Sequence, residues 1–196
     1  MCAQLRRTPF RFLAERSAFS LASFFAGFGW ANDAITIPLA RISDQFPGPK
    51  GLLVTTRVSL TSTDPEHSFT RLLDALEDDL RRHGEPPSAP VARDVPLLAA
   101  IVKAINDGRP GLYLHEPTAT CLFDTLEGHL WGIAEYDPEE ARRQRAPLEA
   151  IAARLRRDHP GTLAPWHVLL RIAEGGDMFV FEEFCYLYHQ VTGGSA

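Results

Sequence analysis

Three times this chain runs from a Thr or Asp directly into proline and then into an apolar stripe: Thr8-Pro9, Asp64-Pro65 and Asp137-Pro138. The first residue of each pair can cap a helix N-terminus with its side-chain oxygen. Proline at the first helical position loses no hydrogen bond and arrives with the right φ. Three helices are therefore fixed near their starts. The first is expected to run from Thr8 to about Ala26 with Gly27 as its stop, and Phe10, Leu13, Leu21 and Phe24 recur along it at helical spacing. The second carries Phe69, Leu72, Leu73, Leu76 and Leu80 and ends at Gly84. The third opens like a capping box, with Glu140 at N3, and Pro147 is expected to break it. Further helices are read after Asp94, around Leu148–Arg157, after Pro165, and from Asp177 to about Thr192.

Between these helices the pattern reads as β. Leu52, Val54, Thr56, Val58 and Leu60 alternate with Leu53, Thr55, Arg57, Ser59 and Thr61, which gives a strand with one apolar and one polar face. Ile35–Ile42 contains Pro38 and reads as an edge strand. Leu112–His115, Thr120–Thr125 and His129–Tyr136 read as three more, with a turn at Glu127-Gly128. The expectation is an α+β fold: one mixed α/β domain over 1–196, a mainly antiparallel sheet of four to five strands, and about six helices. A proline-rich stretch marks a subdomain junction near 85–93. On this reading the chain has no internal repeat and no low-complexity segment.

Composition sets the class. With 45% hydrophobic and 23% charged residues in 196, the chain can bury a real core. A net charge of -5 argues against nucleic acid as a partner, because phosphate binding needs concentrated positive charge. The twenty basic residues include only two lysines, Lys50 and Lys103, a bias that suits a GC-rich bacterial genome. The basic run Arg142, Arg143, Arg145, Arg154, Arg156 and Arg157 is diluted by Glu139, Glu140, Glu149 and Asp158, and reads as a solvated face. Three scattered cysteines, Cys2, Cys121 and Cys185, form no C-x-x-C pair, so neither a disulfide framework nor a zinc ribbon is expected and a cytoplasmic location fits. No apolar run reaches the ~20 residues of a membrane span, and the apolar Ser17–Ala31 stretch is expected to remain in the mature protein.

No catalytic signature stands out. There is no Walker sequence, no G-x-S-x-G and no H-E-x-x-H, and Gly27-Phe28-Gly29 follows a helix rather than a strand. A cysteine nucleophile at Cys121 or Cys185 would need His115 or His129 to converge on it in space. The leading expectation is a non-catalytic protein- or peptide-binding subunit of a bacterial system, such as an immunity or inhibitor protein or the recruiting partner of a peptide-modifying enzyme. It would use no cofactor. Aromatic surplus on the last helix nominates Phe179, Tyr186 and Tyr188 as partner anchors, and the polar strand face adds Thr55 and Arg57. The alternative is a small metal-dependent enzyme. Glu182, Cys185 and His189 share a helical face at i, i+3 and i+7, and His115, Glu116 and His129 could join them.

Overall fold

Asp64 and Asp137 cap helices as their prolines imply. Asp64 accepts the Glu66 N–H, and Asp137 accepts that of Glu140 at 2.9 Å. They open α5 (Pro65–His83) and α8 (Pro138–Asp158) in a computed structural model that describes residues 1–49, 54–87, 90–114, 116–161, 164–174 and 179–193. Around them lie α1 (Cys2–Arg7), α2 (Ala18–Ala31), α3 (Thr36–Ser43), α4 (Val54–Ser59), α6 (Leu97–Asn106), α7 (Ala119–Ala134), α9 (Trp166–Glu174) and α10 (Val180–Thr192). Single 3-10 turns cover Pro9–Arg11, Asp33–Ile35 and Pro110–Leu112.

The expected sheet is absent among the described residues. Among the described residues the only β feature is an isolated antiparallel bridge between Asn32 and Pro90. The α+β assignment is therefore corrected to an all-helical one, and each strand has its own reason. Ile35–Ile42 forms a turn and α3, with Pro38 in the first helical turn, where its missing N–H has no intrahelical partner to lose. The alternating segment forms α4 over 54–59, where period two over so few residues also places Val54 and Val58 one turn apart. Leu52 and Leu53 lie outside the described residues. Leu112 ends a 3-10 turn, and His115 lies outside the described residues. The two strands read at 120–136 are one helix, α7, buried on nearly every side from Ala119 to Ile133. A helix buried all round has no polar face, so its sequence loses the 3.6-residue rhythm.

Helix boundaries shift as well. Thr8-Pro9 starts only a 3-10 turn; the main helix begins after Ser17, whose hydroxyl accepts the Ser20 N–H at 3.0 Å. It runs past Gly27, which is a packing residue rather than a stop. Pro147 sits within α8 without ending it. The third interior helix starts at Leu97 rather than beside Asp94.

At the centre, α2 and α7 lie parallel and almost touch backbone to backbone. A Cβ placed on Gly27 would come 1.8 Å from the Thr125 carbonyl oxygen, and one on Gly128 would come 1.9 Å from that of Phe24. Further along, Gly132 meets Phe28 and Ala31. Contacts advance in the same direction on both helices, so their N-termini share one end. Small residues every four positions, Ser23-Gly27-Ala31 facing Gly128-Gly132, allow the approach.

These mates stand 101 residues apart, and so do many others, which corrects the reading that the chain lacks a repeat. Pro9 pairs with Pro110, Leu13 with Leu114, Glu15 with Glu116, Ala18 with Ala119, Leu21 with Leu122, Gly27 with Gly128, and Trp30 with Trp131. The 3-10 turns Pro9–Arg11 and Pro110–Leu112 and the N-caps Ser17 and Thr118 obey the same spacing. Contacts repeat with it. Phe12 packs on Trp131 at 4.3 Å between ring centroids, and its counterpart Tyr113 packs on Trp30 at 5.2 Å. Helix α5 flanks α2 as α9 flanks α7, and Pro65, His67 and Arg71 recur as Pro165, His167 and Arg171. The molecule is thus two related halves about a pseudo-two-fold axis. One hydrophobic core gathers α1 to α5, another gathers α6 to α10, and α2/α7 is the seam.

Candidate functional site

The pseudo-two-fold axis leaves the molecule at the shared N-terminal end of α2 and α7, and there it opens into a cavity of about 290 Å³. Its lining comes in pairs 101 residues apart: Glu15 with Glu116, Ser17 with Thr118, Phe19 with Thr120, Ser20 with Cys121, and Ser23 with Asp124. Pro65 and Arg171 complete it.

The local sequence explains the geometry. Each central helix begins at a hydroxyl N-cap, so the first turn is held by Ser17 in one half and Thr118 in the other. Residues three and six positions beyond the cap then point along one face toward the axis. In the first half these are Ser20 and Ser23; in the second, Cys121 and Asp124. The Ser23 hydroxyl lies 3.2 Å from the Cys121 sulfur, which also accepts the Glu116 N–H at 3.4 Å.

Asp124 is fully buried. Its Oδ1 accepts the Ala14 N–H at 2.7 Å, whereas Oδ2 has no hydrogen-bond partner among the described residues. Burial pushes its pKa up to about 8. The Ala14 N–H and the nearby Ser20 hydroxyl pull it down, and the charges of Glu15 and Glu127 push it up further. Ser20 stands close enough to favour the ionised form, yet neither its Oγ nor Asp124 Oδ2 completes a hydrogen bond among the described residues. Burial therefore favours the protonated acid at neutral pH, which has a proton to donate. A buried polar group without a partner costs ~1–3 kcal/mol and calls for an explanation.

Of the residues nominated from the sequence, Glu116 and the candidate nucleophile Cys121 line this cavity, His115 lies outside the described residues, and the others fall elsewhere. Arg57 is buried: its guanidinium donates to the Ser43 hydroxyl and the Gly48 carbonyl, clipping its own chain, and the polar strand face it was assigned to is helix. Thr55 lies in that helix, with its side chain outside the described residues. On α10, Phe179 and Tyr186 are 50% and 46% exposed, with the Arg154 guanidinium 6.0 Å from the Tyr186 ring, while Tyr188 is half-buried. Among the described residues the metal face does not assemble. Cys185 is buried toward the Val102 carbonyl with its thiol pushed up to about 11 by burial, Glu182 faces outward, and His189 lies beside Tyr188. His129 sits in the seam, bonded through Nε2 to Gln144 at 3.0 Å, and burial lowers its pKa. No cluster of three metal-ligating side chains occurs among the described residues. Among them, too, no helix is long and apolar enough to cross a membrane.

Sequence reasoning overlooked Asp124, Ser20 and Ser23. The 101-residue spacing was the signal, because it pairs them across the axis. No family model, curated protein or solved structure matches the chain.

Proposed function

We propose that this chain is a non-catalytic binding subunit that holds a segment of a peptide partner in the axial cavity. The observation that carries this reading is the unpartnered Asp124 Oδ2 inside a hydroxyl-lined opening. A peptide backbone presents carbonyls and amides in alternation. The Asp124 acid can donate to a carbonyl, and serine and threonine hydroxyls serve either group. Phe19, 42% exposed at the rim, offers an apolar rest for a side chain. The exposed pair Phe179 and Tyr186 favours a second contact surface on α10. Three free, buried cysteines fit the reducing cytoplasm of a bacterium.

The test is to pan a displayed peptide library on the protein and titrate recovered peptides by calorimetry. Thr120→Trp, which blocks the mouth, should weaken binding at least about tenfold, or 1.4 kcal/mol, with an unchanged melting temperature. Equal loss in Tyr186→Ala would place α10 in the same interface. Recovery of no peptide, or binding indifferent to Thr120→Trp, ends the cavity reading.

A further inference from the structure

We propose that Cys121 is a capturing thiol, which adds reversibly to the carbonyl carbon of a small uncharged aldehyde in the axial cavity while Asp124 protonates the aldehyde oxygen. The inference rests on the cavity admitting a ligand, as the proposed function requires, but not on that ligand being a peptide.

The pseudo-symmetry supplies an internal comparison. The first half fills the two axial positions with Ser20 and Ser23, and the second fills them with Cys121 and Asp124. Packing is met by serine at both places, so a thiol and a buried acid are not required by the fold. Both occur together on one face of one helix, one turn apart, and both line the same cavity. The acid is kept although it leaves an oxygen without a partner. The missing partner is a hydrogen-bond acceptor, and a carbonyl oxygen is one.

Ligand chemistry follows from the surroundings. The N-terminal ends of α2 and α7 meet here, and their dipoles favour the negative charge that develops on sulfur and oxygen during addition. The Glu116 N–H already points at the sulfur. Of the charged groups lining the cavity, Glu15 and Glu116 disfavour an anion, and Arg171 together with the helix ends disfavours a cation, which leaves an uncharged electrophile. The volume of about 290 Å³ admits a small one.

The step balances without any further reactant. Sulfur forms a bond to the carbonyl carbon, and the π pair of the C=O moves to oxygen. Asp124 gives that oxygen its proton and takes up the proton released by the thiol, with the Ser23 hydroxyl beside the sulfur to relay it. The net change is S–H added across C=O, with nothing oxidised or reduced. The reverse step releases the aldehyde.

Propanal labelled with carbon-13 at the carbonyl is the probe. The wild-type protein should convert the aldehyde resonance to that of a hemithioacetal carbon and, in the same mixture, protect Cys121 from iodoacetamide. Cys2 and Cys185, both with thiols pushed up to about 11 by burial, should alkylate slowly with or without aldehyde. Cys121→Ser restores the residue found at the equivalent position of the first half, so it should fold, and it should abolish the signal. Asp124→Asn should slow addition by about 100-fold or more, the usual contribution of a positioned acid. No adduct in the wild type, an adduct that survives Cys121→Ser, or wild-type rates in Asp124→Asn would each overturn the proposal. Peptides that still bind a protein forming no adduct would sink this inference and leave the proposed function standing. A cavity that takes neither probe would end both.

Discussion

Asp124 replaces a serine of the other half with a group that the interior must keep protonated, and this makes stability depend on pH. Its folded-state pKa is raised to about 8 from an ordinary 3.8. Between those values the folded protein binds a proton that the unfolded chain has lost, so stability falls as pH rises through the window. His167, packed on Phe123 at 4.1 Å with its pKa lowered to about 4 by burial and by Arg171, acts in the opposite sense. Its folded form binds fewer protons than the unfolded chain from about pH 4 until the unfolded imidazole has lost its proton, about one unit above 6.5, so across that range it raises stability with pH; His129, whose pKa burial also lowers, acts in the same sense. The Asp124 effect between pH 6.5 and 8, where it should remove about 1.5 kcal/mol, is therefore read as the difference between the wild type and Asp124→Asn. Asp124→Asn should lack that fall. Chemical denaturation of both proteins at the two pH values measures the difference, and equal slopes would mean the carboxyl is ionised in the fold. None of this was legible from Asp124 alone, since one Asp in an apolar run reads as a turn or a solvent-facing residue. Only its pairing with Ser23 across the repeat places it on the axis.

Helix α7 is where sequence and structure part most sharply, and its glycines explain why. Gly128 looks like a turn residue between two short apolar runs. In the molecule it is the point where two backbones meet, and its missing side chain is what permits α2 and α7 to pair. Gly128→Ala gains up to ~1 kcal/mol of helix propensity but drives a Cβ to 1.9 Å from a carbonyl oxygen that cannot rotate away. Overpacking costs ~1–3 kcal/mol, and a clash with backbone that cannot turn aside belongs at the upper end, so the variant should be destabilised by about 2 kcal/mol. Gly29 on α2 is the control, because its nearest neighbour would be the Ile35 Cγ2 at 3.8 Å. Gly29→Ala should be neutral or stabilising by up to ~1 kcal/mol. Denaturant midpoints for the two variants decide the matter. Equal behaviour would mean the two helices are less close than described. By contrast, the starts of α5 and α8 were legible, because Asp-Pro followed by an acidic turn acts locally and needs no tertiary partner. The stripes of Leu72 and Leu76 on α5 and Ile101 on α6 were legible for a related reason: each helix has a wet side, which preserves the rhythm.

At the scale of the whole molecule, the paired contacts about the axis describe a chain that behaves like two subunits joined by a link. Each half has its own core, and the halves meet along α2 and α7 at Gly27 and Gly128, at the aromatic pairs Phe12–Trp131 and Trp30–Tyr113, and at the cavity. The link after Gly84 is largely exposed, and its later part returns to the seam, where the Val91 N–H donates to the Ala31 carbonyl at 2.9 Å and Arg93 lies 4.3 Å over Trp30. A break between 87 and 90 keeps those contacts on the second fragment. Fragments 1–87 and 90–196, produced together, should therefore assemble one to one and recover cooperative melting. Alone, each would expose the face of its central helix that is otherwise sealed against the other half, and should self-pair or aggregate. Native mass spectrometry and thermal melting of the mixed and separate fragments provide the measurement. The pairing should also carry the seam's signature: Gly128→Ala in the second fragment should weaken assembly, whereas Gly29→Ala in the first should not. Fragments that each fold as stable monomers and ignore one another would show that the repeat is only a likeness of shape, and that α2 and α7 do not hold the molecule together.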